Sequence, residues 1–271
     1  NAVAEDPSGL RVNIGIRGLD PNRSRKVLIL EDGAPVALNP YGLPEAYYGP
    51  PIERMDRVEV VKGSGSILWG PQTIGGVLNY ITPDPSRKLT VKADLRYGNF
   101  GYLVAQAAAS NTHGAFGYRL DVLHRRFDWR NLDLGLTDVT AKFRIQINPR
   151  STLAIKLNFY DERSTSTYLG LTTPQFAEDP NVQNARFDHF TIRRYALWIN
   201  HTHLFTDHVA LRTTLYGYQT NRHWRRQDYD RTDLGFDYER AIPGTRGGAA
   251  ADDGSTVFFR NTTGNRQRDY E

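Results

Sequence analysis

The chain has 271 residues, 39% of them hydrophobic and 24% charged, and its mean hydropathy is −0.55. That length holds one large domain or two ordinary ones, and no run approaches the roughly 18 consecutive apolar residues of a membrane-spanning helix, so a helical membrane protein is excluded. A β-barrel stays open, because its strands hide only alternate residues from water. Lys and Arg total 34 against 30 Asp and Glu, a net charge of +4 that is too even for a nucleic-acid footprint. Cys is absent, which excludes disulfides and thiolate metal sites and fits an oxidising compartment. The chain begins at Asn1 with neither an initiator Met nor a secretory leader and stops at Glu271 on a charged tail, so both ends read as lacking flanking sequence.

In chain order, the first part is punctuated by Gly and Pro, with short β-branched runs at 27–30 and 58–61 and a turn signal at Asp32-Gly33. Composition changes at Pro83-Asp84-Pro85-Ser86. Beyond it Leu89, Val91, Ala93, Leu95 and Tyr97 share one strand face, with Lys88, Thr90, Lys92, Asp94 and Arg96 on the other. The same period of two returns at 116–122, 139–147 and 153–159, and more loosely at 195–199 and 209–215. Strands of about ten residues are long enough to cross a bilayer when tilted. The predicted connections are 98–101, 111–115, 128–135, 148–151, 163–188, 206–208 and a polar stretch from 222 to about 264. After the first, every second one is a tight turn and those between grow long, the asymmetry of outer-membrane barrels. A soluble β-sandwich also hides one face of each strand. These strands exceed the roughly 5–6 residues usual in soluble sheets. Their polar faces carry Lys92, Arg96, Arg119, Arg144, Lys156 and Arg212, as a wet lumen requires.

Four segments of the first part follow one another: Ile16-Arg17-Gly18-Leu19-Asp20, then Val27-Leu28-Ile29-Leu30-Glu31-Asp32-Gly33-Ala34-Pro35-Val36, then Ile52-Glu53-Arg54-Met55-Asp56-Arg57-Val58-Glu59-Val60-Val61-Lys62-Gly63, then Ser66-Ile67-Leu68-Trp69-Gly70-Pro71-Gln72-Thr73-Ile74-Gly75-Gly76-Val77-Leu78-Asn79-Tyr80. In this order and spacing they resemble the C-terminal half of the plug domain of TonB-dependent outer-membrane receptors. Asn39-Pro40-Tyr41-Gly42 looks most like the ferric citrate (iron dicitrate) receptor branch, and Asn265-Arg266-Gln267-Arg268-Asp269-Tyr270-Glu271 looks like the start of that branch's eighth strand. The resemblance implies an all-β-dominated fold: the C-terminal part of a mixed α/β plug over residues 1–84, then about seven strands of a 22-stranded antiparallel transmembrane β-barrel over 85–271. Seven strands fall short of a closed barrel, so the rest of its own barrel or another outer-membrane protein must complete it.

The same resemblance implies a transporter rather than an enzyme, in the outer membrane of a Gram-negative bacterium, energised by a TonB-type coupling protein. Its cargo would be a ferric chelate, with no covalently bound cofactor and no nucleic-acid partner. It places Asn39, Tyr41 and Gly42 at the plug apex and assigns Arg17, Glu59 and Lys62 to plug–barrel contacts. Two clusters fall at outward strand ends: Arg126, Trp129 and Arg130, and Arg222, Trp224, Arg225 and Arg226. Guanidinium groups bind carboxylates bidentately and interleaved Trp adds stacking, so both clusters suit an anionic chelate of the citrate type. The alternative for these arginines is an outer rim that contacts lipopolysaccharide phosphates or solvent. Import of cobalamin, haem or a glycan, and a non-transporting structural or adhesive barrel, stand as further alternatives. His201 and His203 share a strand face with His208 nearby, but no third ligand stands at a defined spacing, so no metal site is expected. Gly63-Ser64-Gly65-Ser66 lacks the Gly-Lys-Ser/Thr of a phosphate loop. No Ser-His-Asp, paired-carboxylate or Cys-His arrangement stands out.

Overall fold

The computed structural model describes residues 2–4, 12–21, 24, 26–36, 48–63, 69, 73–129, 132–165, 173–181, 188–231, 245–250 and 256–270. In the first part, β1 (Ala2–Ala4) and β2 (Val12–Ile14) pair antiparallel. A second sheet holds β3 (Val27–Glu31), β4 (Ala34–Pro35), β5 (Arg57–Val61) and β6 (Gly76–Ile81) in the order β4-β3-β6-β5, with β3 and β6 parallel. Every residue of β3 is buried, as its run of four aliphatics demands of a strand covered on both faces. Asp32 and Gly33 turn the chain into β4 with φ of 48° and 84°. Asp-Gly satisfies this primed-turn geometry because Gly has no Cβ and Asp tolerates the left-handed region. Among the described plug residues a 3-10 turn spans Ile52–Arg54.

The alternating part folds as one antiparallel sheet. β7 (Thr90–Tyr97), β8 (Leu103–His113), β9 (Phe116–Trp129), β10 (Leu132–Asn148), β11 (Ser151–Ser164), β12 (His189–Leu204) and β13 (Ala210–Arg231) pair successively. β15 (Thr256–Tyr270) adds to β13, and the short β14 (Thr245–Ala250) lies outside it. A short helix, α1 (Thr173–Glu178), sits in the long β11–β12 connection. Among the described residues the sheet is open, with β7 and β14 as its edges. In lipid such edges leave backbone groups unsatisfied, so they call for further strands.

Two predicted connections are strand instead. The β9–β10 pairing continues to Trp129 opposite Leu132, which shrinks the expected loop at 128–135. Arg222 to Arg226 lie inside β13, and β15 begins well before Asn265. Apolar alternation stops where lipid stops, whereas the backbone ladder needs no apolar side chains and runs on.

Register separates the two faces. One outward row reads Val91, Ala109, Leu120, Ala141, Leu157, Leu197, Gly217, one residue per strand from β7 to β13. Leu120, Leu157 and Leu197 are 46%, 47% and 37% exposed, an apolar band that water would not tolerate and lipid does. The neighbouring inward row reads Lys92, Ala108, Asp121, Thr140, Asn158, Ala196, Tyr218. Against this inner face packs the plug. Ile29, Val36 and Tyr48 join Leu123, Phe127, Leu134, Leu136, Tyr160, Phe190 and Ile192 of the wall in one buried cluster. Each such side chain contributes about 1.5–3 kcal/mol when removed from water.

Candidate functional site

The lower part of the plug–wall contact is ionic. β3 ends in Glu31, and the Asp32-Gly33 turn presents a second carboxylate beside it. Lys156 of β11 reaches both, at 2.8 Å to Glu31 and 2.5 Å to Asp32, and its Nζ lies 3.6 Å from the Trp198 ring centre. Arg54, at the end of the 3-10 turn, contacts Glu31 and the wall residue Asp138, both at 2.9 Å. The Tyr48 hydroxyl donates to Glu31 at 2.9 Å and accepts from Arg54 at 2.6 Å. Asp138 and Thr140 hold the Asn158 amide, whose carbonyl oxygen accepts from Arg194 at 3.3 Å. Lys142 bonds the Thr82 carbonyl and pairs with Asp84 at 2.7 Å, where the chain leaves the plug. Arg125 of β9 pairs with Glu53.

Glu31, Asp32 and Asp138 therefore face Arg54, Lys156 and Arg194, three carboxylates against three cations. The Arg194 guanidinium is buried, and its Nε and Nη2 make no hydrogen bond among the described residues. The rings of Tyr48, Tyr218 and Trp198 surround it at 4.2, 4.9 and 5.3 Å, so aromatic faces supply what hydrogen bonds do not. Burial alone would raise the Glu31 carboxyl. Arg54, then Lys156, outweigh it and hold that carboxyl well below the usual range. Asp32 follows the same pattern, its burial outweighed by Lys156 and Lys142. Burial pushes the Tyr48 phenol well above its ordinary value. Arg54 stays charged, since Asp138 and Glu31 outweigh the cost of its burial.

The plug contacts expected from sequence lie elsewhere. Glu59 bonds Arg57 of its own strand and Asn79 of β6, Lys62 is exposed, and Arg17 lies beside Gly63 within the plug. The sheet order explains this correction: β5 is the edge strand farthest from β4, while β3 and its turn meet the wall. Glu31, Asp32, Glu53, Arg54, Lys142 and Lys156 carry the contact instead. Glu31 was visible in sequence as an acid ending a fully apolar strand, a position that requires a cation.

Strand parity divides the arginine clusters. Arg222 and Trp224 face inward; the Arg222 guanidinium lies 4.8 Å from the Trp224 ring centre and 5.7 Å from that of Phe190. Trp129 packs against the inner cluster. Arg126 and Arg225 face outward and are exposed, away from the inner face where Arg222 and Trp224 lie, a correction to the expectation that each whole cluster meets one chelate, because neighbouring residues of a strand point to opposite faces. Asn39, Tyr41, Gly42, Arg130 and the side chain of Arg226 lie outside the described residues. His201 and His203 face outward, stacked on one another, with Phe205 against His203. Among the described residues no group of three potential metal ligands assembles.

Residues 2–77 match the family described as the TonB-dependent Receptor Plug Domain. Hemin receptors of Yersinia pestis and Yersinia enterocolitica are 27% and 28% identical over 191 residues, covering 63% of this chain and 26% of each receptor. The chain thus spans about a quarter of the length of these curated relatives. The ferric citrate transporter FecA in its unliganded form superposes with a TM-score of 0.72 at 23% identity, covering 85% of this chain and 39% of FecA. The open form of the ferric-catecholate import receptor Fiu from E. coli K12 gives 0.65 at 14% identity, covering 94% of this chain and 38% of Fiu. At these identities the two structures show a shared fold.

Proposed function

We propose that the chain is part of a TonB-dependent receptor of the Gram-negative outer membrane and, on that premise, that it serves TonB-energised import of an anionic iron chelate of the ferric citrate type. It binds and transports rather than catalyses. The observation that carries the transport reading is the ionic contact between plug and wall. Charges in a polar lumen can exchange their partners for water, so a pull transmitted by a TonB-type protein can loosen the plug without exposing a large apolar seal. Arg222 supports the substrate class: it is the inward arginine of the described clusters, set between Phe190 and Trp224, where a carboxylate can meet a guanidinium against apolar walls.

The test measures ferric citrate binding to the complete receptor and to its Arg222→Ala and Arg225→Ala variants. A charge-assisted hydrogen bond contributes about 1.5–3 kcal/mol. Arg222→Ala should therefore weaken binding by roughly tenfold to more than a hundredfold. Arg225→Ala, on the outer face, should leave it unchanged. Equal affinity in wild type and Arg222→Ala removes the anionic-chelate reading. A second reading, haem, is favoured by the inner aromatics Phe127, Trp129, Phe190 and Trp224 and by the hemin receptors among the relatives. Tighter binding of haem than of ferric citrate would select it.

A further inference from the structure

The cations between plug and wall hold carboxylates: Arg54 has Glu31 and Asp138, Lys156 has Glu31 and Asp32, Lys142 has Asp84, and Arg125 has Glu53. Farther round the inner face, Arg119 grips Asp121 of its own strand through two nitrogens, each at 2.7 Å. Arg194 of β12 differs. It is 1% exposed, and among the described residues its guanidinium bonds only the Asn158 carbonyl oxygen, through Nη1 at 3.3 Å. A guanidinium is planar and trigonal, so Nε and Nη2 form a fork that points directly away from Nη1. Both are buried and unpaired. Asn158 stands on β11, so the fork opens toward β13, where Thr220 lies opposite Arg194 in the register with its own buried hydroxyl unpaired. A buried charge without a partner is costly, and the two nitrogens left over are the pair that takes a carboxylate bidentately.

The place of Arg194 in the lumen indicates where such a carboxylate comes from. Arg222 and Arg194 occupy neighbouring inward rows on adjacent strands, so a step of about 8 Å along the wall leads from one backbone to the other. The Trp198 ring, 5.3 Å from the Arg194 guanidinium, also carries Lys156, and its indole Nε1 is buried and unpaired. Cations thus descend diagonally from β13 through β12 to β11, away from the long-loop end. Tyr48 of the plug closes the middle step. Its ring lies 4.2 Å from the Arg194 guanidinium, and its hydroxyl is bonded to Glu31 and Arg54, which ties it to the ionic core of the plug.

From this geometry we propose that Arg194 is a second carboxylate site, inside the lumen below Arg222, which Tyr48 covers while the plug is docked and which receives a carboxylate of the cargo once the plug shifts. Tyr48 leaves with Glu31 and Arg54 when the plug loosens, and the fork of Arg194 is then open to the lumen while Tyr218 and Trp198 keep its guanidinium in place. Lys156, released from Glu31 and Asp32 by the same movement, is the next cation below. The proposal rests on the reading of the cargo as an anionic chelate; haem, the second reading, meets the same requirement through its propionates.

The experiment compares equilibrium binding with TonB-energised uptake by the complete receptor, using ferric citrate and, in a parallel series, haem. Arg194→Gln should leave the external affinity unchanged, because Tyr48 covers the site until the plug moves, and should slow uptake at saturating cargo roughly tenfold or more. Arg194→Lys should fall between, keeping the charge without the fork. Arg193→Gln, which breaks a pair with Asp161 on the outer face, should change neither. A merely structural Arg194 gives the opposite sign: its loss would free Tyr48, loosen the plug and quicken exchange of the Asp32 and Val36 amides without slowing uptake. That result, wild-type uptake in Arg194→Gln, or a loss of uptake matched by a loss of external affinity would each overturn the proposal. Unchanged ferric citrate affinity in Arg222→Ala removes the anionic-chelate reading by itself, and the haem series then decides on Arg194 alone; a receptor that takes up neither cargo overturns both.

Discussion

Replacing Lys156 with Met removes the ammonium that holds Glu31 at 2.8 Å and Asp32 at 2.5 Å, while leaving an aliphatic stem of similar length on the Trp198 ring. Glu31 keeps Arg54, and Asp32 keeps the Thr82 N–H at 2.9 Å and its hydroxyl at 2.6 Å. Removing one partner of a buried ion pair costs about 3–5 kcal/mol, because the other charge stays buried. The Glu31 side chain is 0% exposed but that of Asp32 is 12%, so water reaches part of the damage and the low end, about 3 kcal/mol, applies. Hydrogen exchange in the complete receptor reads this directly at the amides of Asp32, bonded to the Tyr80 carbonyl, and Val36, bonded to that of Ile29. Their exchange should quicken by roughly a hundredfold at 1.4 kcal/mol per decade. Arg57→Met, which breaks a pair whose side chains are 57% and 45% exposed, serves as the control and should leave these amides unchanged. Lys156→Met exchange no faster than that of the control would refute the claim that ion pairs hold the plug to the wall.

The plug contact should also depend on acidity in one direction. Glu31 is held below its ordinary value of 4.5 in the docked state, so its contribution is complete above about pH 4.5 and is lost as pH falls through the depressed value. Protection of the β3 amides, corrected for intrinsic exchange, should be flat from about pH 8 to about pH 5 and decline below about pH 4.5, and Glu31→Gln should flatten that decline. Gly33→Ala should destabilise the β3–β4 turn by about 1–2 kcal/mol, because a Cβ at φ 84° is strained even though it would meet only the Trp69 ring at 3.7 Å. Gly33→Asn should recover most of that loss in a denaturation series, since Asn tolerates the left-handed region.

The wall was legible because lipid and lumen impose a strict period of two, and Leu120, Leu157 and Leu197 stand where that period places them. Strand ends were less legible. Beyond the lipid the ladder carries polar residues on both faces, as at Arg126 and at Arg222 to Arg225, and a polar run reads as a loop. That error carried into the candidate substrate site, since a loop has no parity and every arginine of a cluster counted toward one ligand. Set in strands, the clusters divide: Arg222 turns in, while Arg126 and Arg225 turn out. The plug anchors were hidden for a different reason. Glu31 and Lys156 are 125 residues apart in the chain, and local pattern says only that one is an acid ending an apolar strand and the other a cation on a polar strand face. Pairing of that kind is a property of the packed structure.

The contact between plug and wall is graded, and the gradient bears on how it yields. Phe127, Leu134 and Phe190 stand toward the long-loop ends of their strands, where the plug meets the wall chiefly through apolar side chains, with the Arg125–Glu53 pair set among them. Lys142 and Lys156 stand farther toward the short turns, near the Thr82–Asp84 link from which the chain leaves the plug. On the transport reading, force arrives from the periplasmic side and loads this ionic end first. Ion pairs act over short distances and can be replaced by hydration as the gap opens, whereas apolar contacts lose area progressively and regain nothing from water. A plug loaded from below thus loosens at Lys142 and Lys156 while its apolar end still packs, which favours a passage opening along the wall of β10 and β11 over ejection of the whole domain.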